Sequence, residues 1–418
     1  MHHIQTYRGS VYFRLLRNPT FLLLWSGQTI SSIGDYLFNV VIMWVVYVQT
    51  GSALQSGIIM VIYTLSAVIL APIGGVYADR WNRKSTMFTA AVVSAIVVGA
   101  AAVPLALGHF SPALIYVTVF LLNVVSFFSA PAQRSAMPEV VGRDLMVAAG
   151  ALFSLVDQGA SLIGAGLAGV ILAALGASWA LITDTVSFLV AALAIVMARI
   201  PGRAPRSVSN ERMSLLRDLR DGWHAIQSQP VVRAFIRISA LVNVASFIGP
   251  LFPALVRLQM HAGVTAYGFL EAASVAGGMA GGLAAGSLER RVGAGRLIVV
   301  GFIVAGLCFA ALGISTSVLL GGALFVAATF FLIASNVSMG ALTPLLVPQE
   351  YRARTSGITR ATAVIAMPAT VILAGWLADR IGPGPLYVFG GVWTVGIGAL
   401  AGSNPHLRAA RVDSASAL

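Results

Sequence analysis

The sequence predicts an all-α membrane protein, with twelve transmembrane helices in two pseudo-symmetric six-helix bundles. Three observations predict it. Of the 418 residues, 58% are hydrophobic and 10% charged, whereas a soluble domain carries about 25% charged residues. Apolar runs of the roughly 20 residues needed to span a bilayer recur twelve times. One polar, basic segment parts the first six runs from the last six.

The runs fall at 20–48, 56–78, 85–107, 111–137, 146–175, 178–198, 231–259, 265–288, 296–314, 317–347, 355–379 and 385–402. Their breaks carry turn-forming residues, such as Thr50-Gly51-Ser52, Leu107-Gly108, Leu175-Gly176-Ala177 and Gly382-Pro383-Gly384-Pro385. Forty-three glycines suit helices that pack closely through small side chains. The domains expected are a bundle at 1–198, a cytoplasmic linker at 199–230, and a second bundle with a short cytoplasmic tail at 231–418. No removable signal peptide is expected, because the first long apolar run is itself a span.

Charge sets the topology. The formal net charge is +12, but the bases lie in short segments between apolar runs and read as topology signals. Nucleic acid is therefore not an expected partner. Of 26 Lys and Arg, only Arg257 and Arg380 fall at ends assigned outside, which places both termini in the cytoplasm. The linker holds Arg199, Arg203, Arg206, Arg212, Arg217 and Arg220 against Glu211, Asp218 and Asp221. Leu215, Leu216, Leu219, Trp223 and Ile226 recur there at helical spacing. The segment is either an amphipathic helix on the inner leaflet or a solvated linker. The halves repeat weakly: Asn18-Pro19 matches Gln229-Pro230, and Asp79-Arg80 matches Glu289-Arg290, both at an offset of about 210 residues.

Acids inside spans need explaining, since one at a helix centre costs about 2.5–3.5 kcal/mol on insertion scales. Asp35 lies roughly fifteen residues into the first span, near mid-depth at 1.5 Å per residue. Gln28, Ser31, Ser32 and Asn39 share its face, which should avoid lipid and line water or a partner. An acid there can bind and release a proton. Glu271 is a second proton-binding candidate or a partner for Arg257, and Asp157 a third. Asp184 reads as structural, an acid near a helix start. Weaker polar stripes are Asn123, Ser126 and Arg134; Ser239, Asn243 and Ser246; and Thr329, Asn336 and Thr343 beside Met339. These predict a cavity formed by spans 1, 4, 7 and 10, with Tyr36, Phe127, Phe247 and Met339 as its apolar part. It would suit a medium-sized amphipathic molecule.

The most specific stretch is Gly74 to Lys84, where an apolar run ends in Asp79, Arg80, Arg83 and Lys84. With twelve runs in two halves, the pattern Gly75…Asp79-Arg80…Arg83-Lys84 resembles the major facilitator superfamily. Asn82 stands where that loop has a second glycine. Trp25-Ser26-Gly27-Gln28, Ser31-Ser32-Ile33-Gly34-Asp35, Pro131-Ala132 and the segment from Asp184 to Leu189 resemble its macrolide-efflux and enterobactin-exporter branch. The resemblance implies a gating loop: Gly75 packs on span 11, Asp79 faces that span's N-terminus near Thr355-Ser356-Gly357, and Arg83 completes the charge network. One departure is Ala165 in Gly164-Ala165-Gly166, where antiporters often have proline.

These features imply proton-coupled export in a cell inner membrane by a monomer, with a small amphipathic substrate, the bilayer as surroundings, no metal and no cofactor beyond the proton gradient. A lysophospholipid or other lipid flippase of the same fold, and a non-transporting receptor or scaffold, are the alternatives. An enzyme is not expected, since no nucleotide-binding glycine loop, nucleophile elbow or metal cluster occurs. The single cysteine, Cys308, permits no intrachain disulfide.

Overall fold

The computed structural model describes residues 11–78, 82–200, 230–346 and 366–404. The linker, the loop residues Asp79 and Arg80, and Thr355–Gly357 lie outside the described residues. The chain forms two compact units: Met1–Gln49 with Ile62–Ser209, and Thr50–Val61 with Asn210–Leu418.

A short helix at 11–16 leads into α1, Pro19–Thr50. Asn18 caps α1, its Oδ1 accepting the N–H groups of Thr20 and Phe21 at 3.0 and 3.1 Å. Pro19 follows at the first helical position, where a missing N–H costs nothing. The Asn18 amide also donates to the Val140 carbonyl at 2.8 Å, tying this cap to the end of α4. Then come α2 (Ala53–Ala78), α3 (Arg83–Ala106), α4 (Pro112–Val141), α5 (Met146–Ala174) and α6 (Ala177–Met197). Each observed range overlaps its expected run closely.

Asn82 explains one departure from the loop pattern. It caps α3 in an extended conformation, φ −64°, and its Oδ1 accepts the Ser85 N–H at 3.2 Å. No glycine is required at that φ. Arg83 pairs with Glu139 of α4 at 2.7 Å. Lys84 Nζ donates to the carbonyls of Val196 and Ala198 at 2.8 Å each, closing the C-terminus of α6. Both cations thus stitch together one end of the first unit. Beside them lies an apolar cluster that includes Leu15, Phe21, Met87, Ala136 and Ile195.

In the second unit α7 is not one regular span. It runs helically over Pro230–Val244, tightens to a 3-10 stretch over Ala245–Leu251, and ends in a π turn over Leu255–Gln259. Pro250 and Pro253 lack the N–H groups that would continue the ladder. The hydroxyl of Tyr387 donates to the Ile248 carbonyl at 3.0 Å, so this backbone acceptor is satisfied by protein where water is absent. The remaining helices are α8 (Val264–Val292), α9 (Ala294–Leu312), α10 (Val318–Leu346), α11 (residues 366–381) and α12 (Pro383–Ser403). Among the described residues, nine helices are long and apolar enough to cross a membrane.

Helices α8 and α10 meet through glycine. A Cβ on Gly281 would overlap the Phe330 carbonyl, and one on Gly277 the Val326 carbonyl. Small residues let such backbones touch, which is how helices associate where lipid removes the hydrophobic drive.

Candidate functional site

A cavity of about 320 Å³ opens within the first unit, inside the 300–1,000 Å³ range of small-molecule sites. The polar face of α1 forms one wall, with Gln28, Ser31, Asp35 and Asn39. Asn123 and Ser126 of α4 line it as well. Phe38, Met87, Phe188 and Ile195 add apolar surface. The wall mixes donors, acceptors and hydrocarbon, which suits an amphipathic ligand.

The polar groups of this wall are held mainly by one another. The Gln133 amide donates to Gln28 Oε1 at 3.2 Å, and the Gln28 amide to Ser32 Oγ at 3.2 Å. Asn39 Nδ2 donates to the Asp35 carbonyl at 2.7 Å, and its Oδ1 accepts the Tyr63 hydroxyl. Asn123 Nδ2 returns to the Val119 carbonyl at 2.8 Å. The Asp35 carboxylate is the exception: it lines the cavity without a hydrogen bond to a described side chain. Its chain neighbour Tyr36 donates to Oδ1 of Asp157, another expected acid, on α5 at 3.2 Å.

Gly164 makes this proximity possible. A Cβ there would come within 2.7 Å of the Ile33 carbonyl oxygen and of Tyr36 Cβ. The close-packing glycine therefore acts without the neighbouring proline, and α5 runs unbroken through Ala165.

The expected sites in the second half lie in the second unit. Glu271 of α8 hydrogen-bonds the side chain of Tyr267, a helical turn earlier and 2% exposed. Asn243 donates to the Ser239 carbonyl at 2.8 Å. Met339 packs on a cluster that includes Ile238, Phe302 and Leu342, and Asn336 is half-buried on the same helix. Phe247, expected in the cavity, is buried and stacked on Phe389 with ring centroids 6.3 Å apart. Of the gating loop, Gly75 lies in α2, while Arg83 and Lys84 hold the contacts described above.

Sequence reasoning missed Tyr63, Ser94, Ser129 and Gln133 in the cavity wall. Ser94 is isolated in an apolar run, but Ser129 and Gln133 continue the Asn123–Ser126 stripe at helical spacing, a signal that was present. It also missed Asp379. This residue of α11 accepts from Ser52 Oγ at 2.6 Å, from the Ala53 N–H at 2.5 Å and from the Leu54 N–H at 3.4 Å, all within the second unit. It is an N-cap for α2 supplied by another helix. Gly375 brings the two together, since a Cβ there would stand 2.6 Å from Leu54 Cα. A signal was present: Gly375, Asp379 and Arg380 repeat the spacing of Gly75, Asp79 and Arg80.

Comparison with known proteins agrees with this architecture. The enterobactin exporter EntS of Citrobacter koseri is 25% identical over 373 residues, covering 88% of each chain. The MFS-type transporter YfiS of Bacillus subtilis is 25% identical over 408 residues, covering 92% of this chain and 93% of its own. The crystal structure of the nucleoside transporter NupG superposes with a TM-score of 0.70 at 12% identity, covering 92% of this chain and 98% of its own. The model of a family described as transmembrane secretion effector matches residues 11–416. The chain therefore belongs to the transmembrane secretion effector family of the major facilitator superfamily, and is a multi-pass membrane transporter of small molecules, not an enzyme.

Proposed function

We propose that this transporter exports a medium-sized amphipathic molecule of the siderophore or drug type by proton-coupled alternating access. One observation carries the reading: Asp35 lines a half-polar cavity near mid-depth of α1, its carboxylate without a hydrogen bond to a described side chain. Ionisable residues inside spans mark proton or substrate paths. Asp35 is the main proton-binding residue, and Asp157, which accepts the hydroxyl of Tyr36, the next residue of α1, is its helper. Glu271 serves a separate role in the second unit. The relatives named as enterobactin exporters support the direction and the ligand class. Both termini are cytoplasmic, the membrane is the cell inner membrane, and the unit of function is a monomer.

The energetics are sufficient. One proton crossing 100 mV releases about 2.3 kcal/mol, which sustains a roughly 50-fold ratio of a neutral substrate. Alternation needs ends that open in turn. The cap of α2 by Asp379 serves as the outer latch, and the loop from Gly75 to Lys84 as the inner one.

The test uses purified protein in proteoliposomes holding a trapped pH-sensitive dye. Enterobactin, a macrolide and a lysophosphatidylcholine are added in turn. Movement of enterobactin or the macrolide accompanied by opposite proton movement is expected. Lysolipid movement that ignores the pH gradient would replace this reading with the flippase.

A further inference from the structure

Asp184 has no part in the account so far. It lies in α6, in the first unit, and is 0% exposed. Ser187 Oγ donates to the Asp184 carbonyl at 2.7 Å and reaches Asp184 Oδ1 at 3.2 Å. Its Oδ2 is buried and has no hydrogen-bond partner. An ionised carboxylate in that state is an unpaired buried charge, which costs several kcal/mol. A carboxylic acid costs far less, since only a polar group is left unmatched.

The fold makes room for this acid. A Cβ on Gly34 of α1 would overlap Asp184 Oδ1 and Ser187 Oγ. The next residue along α1 is Asp35. The carboxylate of Asp184 therefore lies directly against the backbone of α1 at Gly34. Both acids thus belong to the one α1–α6 contact, and Tyr63 of α2 reaches α1 through Asn39.

Among the described residues, none shown against Asp184 supplies a compensating charge. Facing Asp184 are Asp35 from α1 and Tyr63 from α2, whose hydroxyl is engaged with Asn39. From α3, Gly99 stands opposite Thr185, and no titratable side chain occurs from Ser85 to Ala106. On α6 itself the near polar neighbour is Ser187. The cations Arg83 and Lys84 are spent at the far end of α6 and on α4. Two acids thus meet across one helix contact with no cation between them, and like charges in such a place do not ionise together.

We propose that Asp184 is the second acid of the proton site, a buried positioning residue that shares one proton with Asp35 across the α1–α6 contact at Gly34. The proposal rests on Asp35 being a proton-binding residue. It gives the pair a defined content. When Asp35 faces the cavity ionised, Asp184 holds a proton. A proton arriving from cavity water forms an O–H bond on Asp35, and the charge of the pair falls to zero. A zero-charge pair lets α1 and α6 move without dragging a charge through lipid depth.

Infrared difference spectroscopy of the full chain in nanodiscs, titrated from acid to alkaline, reads this directly through the C=O stretch of protonated carboxyls. In wild type, an Asp35 band, identified by its loss in Asp35→Asn, is expected to titrate. In Asp184→Asn its midpoint is expected to move by about one pH unit or more, the mark of an interacting pair. An unchanged midpoint in Asp184→Asn overturns the pairing while leaving Asp35 as a proton site. Absence of any Asp35 band overturns the Asp35 reading itself. Should Asp184→Asn fail to fold, the Asp35→Asn protein answers from the other side. Its Asp184 band is expected to disappear at a lower pH than in wild type, because the like charge that favoured its proton is gone, and an Asp184 band titrating as in wild type overturns the pairing.

Discussion

The carboxylate of Asp379 accepts the backbone N–H of Ala53 at 2.5 Å, capping α2 from 326 positions further along the chain. Ordinary N-caps come from the residue beside the helix. Here Ser52 occupies that place, accepts the Gln55 N–H at 3.3 Å, and passes its own hydroxyl to Asp379 at 2.6 Å. The first turn of α2 is therefore held jointly by its own cap and by α11. Removing the carboxylate by Asp379→Ala is expected to cost about 1 kcal/mol, the usual worth of a cap. Hydrogen exchange at Ala53 and Leu54 is expected to rise, with Asp379→Asn in between because an amide oxygen still accepts. Equal exchange in all three proteins would remove the latch from the account.

The α8–α10 contact gives a sharper stability prediction. Gly281→Val forces a side chain into the Phe330 backbone, and overpacking costs about 1–3 kcal/mol. Thermal unfolding in detergent is expected to shift down. Gly150→Ala, where nothing lies within 4 Å, is the control and is expected to leave the midpoint unchanged or raise it.

Asn82 offers a test of the loop's altered pattern. Asn82→Gly restores the glycine usual in the resembling family and is expected to cost only a few tenths of a kcal/mol, against about 1 kcal/mol for Asn82→Ala. If glycine were required at this φ, the order would reverse, and thermal unfolding distinguishes the two. Lys84→Met, which releases the carbonyls of Val196 and Ala198, is expected to cost about 1 kcal/mol.

Much of this architecture was legible because it is local. Apolar runs and their glycine breaks mark the helices, and the spacing of Gln28, Ser31, Asp35 and Asn39 marks a polar face. What was not legible depends on which helices touch. Gln133 extends the Asn123–Ser126 stripe, but which helix it meets was not readable, and only the fold brings Tyr63 to Asn39 and Gln133 to Gln28. Asp184 was read as a helix-start acid. It is the eighth residue of α6, buried beside Gly34, too deep for a macrodipole effect confined to the first turn. Phe247 was placed in the cavity because period alone does not say which apolar face turns inward. The breaks in α7 carry a local signal in Pro250 and Pro253, which lack the N–H groups of a continuous helix.

Proton-driven transport by Asp35→Asn in proteoliposomes tests the central claim most directly. Asparagine keeps the size and the polarity but cannot exchange a proton. With a pH gradient imposed, substrate flux is expected to fall at least about tenfold, equivalent to about 1.4 kcal/mol. The thermal shift caused by the same substrate is expected to remain, because Gln28, Asn123 and Gln133 still line the cavity. Flux equal to wild type under the same gradient would contradict the assignment of Asp35 as the residue that couples protons to transport.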